Sequence, residues 1–249
     1  MPNLVQFPCP VFAHTLCWFG SGNSAHKDMN YDSTDPLTIF QQSLSMRRRG
    51  ITGVNPLWSG NDQSRDHQFS TKAVQNWMHL CETTAFPFFL TIDHPESFPI
   101  QSIKDLATYF ASPAYYHWQG KPVLLAFDPL TAAQLSALPD CALVYRNAGG
   151  LSLPKSSGAF EWPAPPSTQA YTDYFHKQTA GATGKLIINH CCPGFLGAAW
   201  NKPGQVIPWR SGAEWEDSKS RVPANPMLVL VATWNDHDEG TGIEFTYFK

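Results

Sequence analysis

Short apolar, β-prone runs recur eight times along the chain, at residues 11–18, 51–58, 86–93, 122–127, 142–145, 158–162, 185–189 and 227–233. Several are almost continuously apolar, as strands of a parallel sheet covered on both faces are. Helical patterns lie between most of them. Asp35 and Pro36 supply a helix start, Leu37, Phe40 and Leu44 share a face, and Gly50 supplies a stop. Ser70 is placed to cap a second helix, in which Val74, Trp77, Met78 and Cys81 recur at i, i+3, i+4 and i+7. Ile103, Leu106 and Phe110 mark a third, and 130–138, 167–178 and 212–221 carry weaker patterns.

Strand and helix in alternation leave a doubly wound sheet or a closed barrel, and eight strands favour closure into a (β/α)8 barrel. Only a short Gly- and Ser-rich stretch separates the fifth and sixth runs, and only a short tail follows the eighth. Helices five and eight are therefore expected to be reduced or missing. There is no internal repeat, and the Pro-rich EWPAPP is too short to divide domains, so residues 1–249 read as one domain.

A chain of 249 residues, 43% hydrophobic and 15% charged, can bury one core of barrel size. A net charge of -3 and a pI near 6.3 give no large cationic surface and argue against a nucleic-acid partner. The one dense basic cluster, Arg47, Arg48 and Arg49, suits the negative end of the first helix. No run approaches the ~20 apolar residues of a membrane span, and MPNLVQFPCPVF lacks a secretory pattern. The expectation is no membrane contact, and either a cytoplasmic protein or a secreted one with its leader removed. Oligomeric state is not legible.

Cys9, Cys17, Cys81, Cys141, Cys191 and Cys192 have no paired CxxC spacing, which argues against structural zinc and for buried thiols. Cys191 and Cys192 lie beside His190, but neighbours on a strand point to opposite faces, which weakens a nucleophile reading. Nine Trp, eight Tyr and sixteen Phe exceed what a core of this size requires. Most serve the core, and some are candidates for platforms under sugar rings.

In such barrels the active site is built at the C-terminal ends of the strands. That filter selects Trp18, Trp58, Asp62, Asp93, His94, Asp128, Arg146, Asn147, Glu161, Trp162 and His190, then Asn235, Asp236, His237, Asp238 and Glu239 after the last run. Asp128 also suits an N-cap, and His14 a barrel-core histidine. Asp93 ends the strongly apolar FPFFLTID, where a carboxylate without a partner is costly. After the eighth run, three carboxylates fall within four residues. Mutual repulsion raises some of their pKa values, so that one carboxyl stays protonated beside an ionised neighbour. Glycosidic cleavage needs that division, with the two groups roughly 5 to 9.5 Å apart. Acidic loops also bind metals or simply stay solvated.

The same segments carry a family resemblance. VFAHTLCWFG, MRRRGITGVNPLW, FFLTID, PAYYHWQGKPVLLAF, GAFEWPAP, IINHCCPGF with the following AAWNKPG, and VATWNDHDEG span nearly the whole chain. Together they resemble glycoside hydrolase families 71 (α-1,3-glucanases, or mutanases) and 99 (endo-α-mannosidases). TWND is similar to family 71 and EGTGIE to the family 99 ending. The resemblance implies Asp236 as the first catalytic carboxylate and Glu239 as the second and general acid/base. It implies no cofactor and no metal. In family 99 the first position is usually Glu and assists the substrate's own 2-hydroxyl, so Asp236, one methylene shorter, leans toward family 71. Asp93, Glu161 and Trp162 become candidate subsite residues, Trp18 and Trp58 stacking surfaces, and His190, Trp234, Asn235 and His237 further substrate contacts. Asp238 becomes a tuning neighbour and Glu244 a structural residue.

The implied activity is hydrolysis of an α-linked glycan, endo-acting on an α-1,3-glucan or α-mannan type of polysaccharide. Two alternatives stand beside it. One is a sugar-binding barrel that has lost catalysis. The other is a metal-dependent hydrolase using His14, Asp93, His190 and His237, although no HxH or HExxH spacing supports it.

Overall fold

The described residues of the computed structural model are 6–20, 29–60, 65–163, 168–196, 206–208, 213–239 and 241–244. Eight parallel strands close on themselves: β1 (Val11–Thr15), β2 (Gly53–Trp58), β3 (Leu90–Ile92), β4 (Lys121–Ala126), β5 (Ala142–Arg146), β6 (Ser156–Phe160), β7 (Leu186–Cys191) and β8 (Leu228–Val231). Each pairs with the next, and β8 returns to β1 with Phe12 opposite Leu230. This is the (β/α)8 barrel expected from the alternation of apolar runs and helical patterns. His117–Trp118 adds a short antiparallel strand beside β4, and Phe195–Leu196 pairs with Val206–Ile207 beyond β7.

The helices are α1 (Pro36–Arg48), α2 (Arg65–Thr84), α3 (Ile100–Phe110), α4 (Ala132–Ala137), α5 (Thr168–Thr179) and α6 (Ala213–Ser220). Between β5 and β6 there is only a 3-10 segment, Ala148–Ser152, and among the described residues no helix follows β8. Asp35 caps α1 by accepting from the amides of Leu37 and Thr38, and Gly50 closes it at φ +83°, a conformation that suits glycine.

Two helix expectations are corrected. Leu37, Phe40 and Leu44 form the outward stripe of α1, 60%, 42% and 38% exposed, while Ile39, Gln42, Ser43 and Met46 face inward. The buried face contains two polar residues, so hydrophobic spacing selected the wrong stripe. Ser70 is not a cap. It lies inside α2, and its Oγ accepts the Ser59 amide that follows β2.

Inside the barrel the N-terminal layer is aromatic. Phe12 packs its ring 4.6 Å from Phe89 and 5.0 Å from Tyr116, and a Cβ on Gly53 would lie 2.1 Å from that ring. Glycine at 53 is therefore a condition of this packing. The next layer is polar: Asn55 Nδ2 donates to the Phe89 carbonyl, and its Oδ1 accepts from Thr91 Oγ1 and faces His14 Nδ1 at 2.8 Å. An amide oriented that way requires the proton on Nδ1 of His14.

The basic cluster is absorbed by packing. Arg47 donates to the Thr84 carbonyl and stacks on Phe86, and Arg49 donates to Ser45 and lies over Trp234. The six cysteines are free thiols, and no helix among the described residues is long and apolar enough to cross a membrane.

Candidate active site

The segment after β8 folds back on itself as a backbone knot. Thr233 N–H donates to the Thr241 carbonyl, Ile243 N–H to Thr233, Glu244 N–H to Trp234 and Gly242 N–H to Asp236. The hydroxyls of Thr233 and Thr241 meet at 3.0 Å, and Thr233 Oγ1 also accepts the Asp236 amide at 2.8 Å. Asn235 then clamps this knot to the end of β1, accepting from Leu16 N–H at 2.8 Å and donating to Leu16 O at 3.0 Å. Both backbone groups of Leu16 are thus satisfied by one side chain.

Asp236 is 5% exposed, and its Oδ1 accepts the Glu239 amide at 2.8 Å. Burial, then the neighbouring Asp238, push its carboxyl up from 3.8 to about 6, against the opposing pull of the Glu239 amide, the His237 charge and the Asp238 amide. Glu239 and Asp238 are half-buried on the same turn. His237 Nε2 lies 3.2 Å from Glu244 Oε2, and its ring meets Phe19 edge-on. Glu244 also accepts from Tyr31 OH at 3.0 Å and from Gln42 Nε2 at 2.8 Å. The loop thus holds one buried carboxyl poised near neutrality, with a second three residues away on the same turn.

The aromatic floor is built around Trp162. Its half-buried indole is met edge-on by His14 (4.9 Å), Phe127 (4.7 Å) and Phe160 (6.3 Å), which fixes its plane. Burial pushes His14 down to about 4, partly offset by its bond to Asn55, so the imidazole under the floor is neutral at pH 7.

Glu161, 1% exposed, points toward α5. Its Oε1 accepts from Thr172, and its Oε2 accepts the His190 amide at 3.3 Å and lies 3.2 Å from His190 Nδ1 and 3.9 Å from His176 Nε2. β6 ends at Phe160, so this carboxylate takes the place of a backbone acceptor for the His190 amide. Burial alone raises Glu161, but the charge and bonds of His190, then Thr172 and His176, bring its carboxyl below the usual range. The Nε2 of His190 has no hydrogen-bond partner among the described residues. Cys191 and Cys192 are buried, and burial pushes both thiols up, the reverse of what a thiolate nucleophile needs.

A second polar cluster lies at the ends of β3, β4 and β5. His94 approaches Asp93 (3.9 Å), Asp128 (3.6 Å) and Glu96 (3.3 Å), and Arg146 approaches Asp128 at 3.4 Å while stacking on Phe127. Burial, then Asp128, raise Asp93 against the pull of His94 and Arg146; Asp93 in turn raises His94. Asp128 is not a cap, because Thr131 and Gln134 form the capping box of α4. Asp93, His94 and Asp128 are near enough to one another to share a cation, and among the described residues no other His, Cys, Asp and Glu group is. The quartet His14, Asp93, His190 and His237 is not gathered: His14 is held by Asn55, His190 lies beside Glu161, and His237 meets Glu244.

The remaining sequence candidates divide. Trp58 and Trp234 are fully buried and present no ring face to a ligand. Trp58 packs on Phe98 and Tyr109 and donates to Thr71, and Trp234 lies beneath Arg49, so both belong to the layer between barrel and helices. Asn235 spends its amide on Leu16 and Tyr31 rather than on a substrate. Trp18 is half-buried against Phe19. Asp62 and the segment 198–204 lie outside the described residues. Sequence reasoning passed over Tyr31, Gln42 and Thr172, which carry no local signal, and Phe127, whose position as the last residue of the fourth apolar run was the available clue.

No protein-family profile matches the sequence, and no curated protein matches it. Solved structures do match. An endo-α-mannosidase of glycoside hydrolase family 99 from Bacteroides thetaiotaomicron superposes with a TM-score of 0.75 at 17% identity, over 96% of this chain and 87% of that one. A second structure of that enzyme gives 0.73 at 16%, over 96% and 88%. A glycoside hydrolase-like protein gives 0.61 at 11%, also over 96% and 88%. At these identities the likeness is one of fold.

Proposed function

We propose that the chain is a glycosidase that cleaves an α-linked glycan with Asp236 and Glu239. The observation that carries this reading is the buried carboxyl of Asp236, held up to about 6 and bonded to the Glu239 amide, on the loop that ends β8. A carboxyl held near 6 is ionised at neutral pH yet basic enough to take a proton from water or a hydroxyl, which suits the carboxylate that assists attack in glycosidic cleavage. Glu239 is the general acid/base, and Asp236 acts ionised, either on water or on a substrate hydroxyl. Trp162 is the platform for a sugar ring, and Asp93 on the far rim serves a neighbouring subsite.

The substrate is a polysaccharide of the α-mannan or α-1,3-glucan type, cut internally. The shared fold with an endo-α-mannosidase favours the first, and Asp rather than Glu at 236 favours the second. The test is reducing-end release from both polymers by the native chain, D236N and E239Q. Turnover by the native chain that both variants lose supports the assignment. Undiminished turnover in the variants overturns it, and tight glycan binding by calorimetry with no turnover on any α-glycan replaces it with a binding protein.

A further inference from the structure

Asp236 is tied to its surroundings at three polar groups. Its N–H donates to Thr233 Oγ1 at 2.8 Å, its carbonyl accepts the Gly242 amide at 3.1 Å, and its Oδ1 accepts the Glu239 amide at 2.8 Å. Two of those partners are main-chain groups, which any residue but proline would supply at 239 and 242. The third is a hydroxyl, and it depends on the side chain at 233.

That hydroxyl is itself held. Thr233 Oγ1 meets Thr241 Oγ1, on the returning arm of the knot, at 3.0 Å, and both threonines are 1% exposed. The two arms are also joined by main-chain bonds, Thr233 N–H to the Thr241 carbonyl at 3.1 Å and Ile243 N–H to the Thr233 carbonyl at 3.2 Å. The knot therefore closes without the hydroxyl pair. What the pair adds is an acceptor of fixed position for the amide of a residue only 5% exposed, at the start of the turn that carries both carboxyls.

Resting on the functional reading above, we infer that Thr233 is a positioning residue for glycosidic cleavage: braced by Thr241, its hydroxyl fixes the Asp236 main chain and thereby the place of the carboxyl beside Glu239. Without that acceptor the Asp236 amide turns to water or to another partner, and the turn moves with it. A displacement of about 1 Å at a reacting group costs on the order of 10²-fold in rate. Thr233 is too deeply buried to touch a glycan, so the loss falls on kcat and spares KM.

Two substitutions separate this role from packing. Thr233→Val keeps the branched shape and removes the hydroxyl, whereas Thr233→Ser keeps the hydroxyl and removes a methyl group. If Thr233 only filled space, serine would be the more damaging change. For a positioning hydroxyl the order is reversed.

The experiment measures turnover of one α-glycan and NMR hydrogen exchange at the Asp236 amide in the native chain, T233V, T233S and T241V. T233V should lower kcat by about tenfold or more with KM within about twofold, and T233S should stay within about threefold of native. The Asp236 amide should exchange at least about tenfold faster in T233V and near the native rate in T233S. T241V, which removes the brace and spares the bond, should lie between the two, and T233V with T241V combined should be no slower than T233V alone. Native exchange at Asp236 in T233V, faster exchange with unchanged kcat, or a loss in T233S as large as in T233V overturns the inference. If T233V does not fold, T241V is read in its place, with faster exchange and reduced kcat expected and native values of either overturning the idea. Faster exchange in T233V together with full activity in D236N leaves Thr233 as the anchor of the turn and removes the catalytic reading of Asp236 instead.

Discussion

Two places on the C-terminal rim gather carboxylates, and they are built on different principles. After β8, Asp236 is buried and secured by backbone amides and threonine hydroxyls. Across the mouth, Asp93 and Asp128 leave about a third of their side chains in solvent and are balanced by His94 and Arg146, with ion-pair separations of 3.4 to 3.9 Å. Acid count alone makes the two regions look alike. What separates them is what opposes burial: at Asp236 chiefly the amides of the same turn, at Asp93 the cations His94 and Arg146, whose pull water screens. Chemistry is expected in the first arrangement and recognition in the second.

The largest expected effect tests that division directly. E239Q and D236N should each lower kcat by a factor of about 10² to 10⁴, the range of a general acid or base. D93N and D128N should act mainly on KM, by less than about tenfold. Equal losses of kcat on both rims, measured on one α-glycan, would break the distinction.

Stability should differ in the same sense. Because the Asp236 carboxyl titrates near 6 in the folded chain rather than 3.8, folding favours its protonated form. No cost applies below about pH 4, and the full cost applies above about pH 6. D236N should therefore match the native chain near pH 4 and exceed it at pH 8, by up to about 3 kcal/mol in urea unfolding. A constant offset across that range would mean that Asp236 is not desolvated as described.

Trp162 follows β6, which lies between β5 and β8 in the strand order, and His14, Phe127 and Phe160 fix its ring. Trp162→Ala should raise KM by about tenfold, equivalent to about 1.4 kcal/mol of binding, with a smaller change in kcat. The smallest effect belongs to the exposed pair: Arg146→Ala should cost no more than about 1 kcal/mol of stability, and less in high salt. A cost several times larger would show that the far rim is as tightly built as the near one.

The barrel was legible because parallel strands covered on both faces read as apolar runs, and strand ends could be located to within a few residues. The same feature hid which way each side chain points. A run buried on both sides loses the alternation that distinguishes lumen from outer layer, so Trp58 and Trp234 looked as available as Trp162. In α1, Gln42 and Ser43 occupy the inner face, and an apolar periodicity cannot anticipate that. The acids of the β8 loop were found because they fall within four residues. Tyr31 and Gln42 were not, because their partner Glu244 lies 213 and 202 residues away.

The clamp of Asn235 on Leu16 spans 219 residues and joins the first strand to the last. On a ribosome that adds about 5–20 residues per second, the β1 end must wait many seconds for the partner that completes it. Until then its amide and carbonyl are open to water or to other chains, and the acids that follow Asn235 do not yet exist. Under the proposed reading, a nascent chain stalled before residue 235 lacks both the partner of Leu16 and the two carboxyls, and so carries no activity to release.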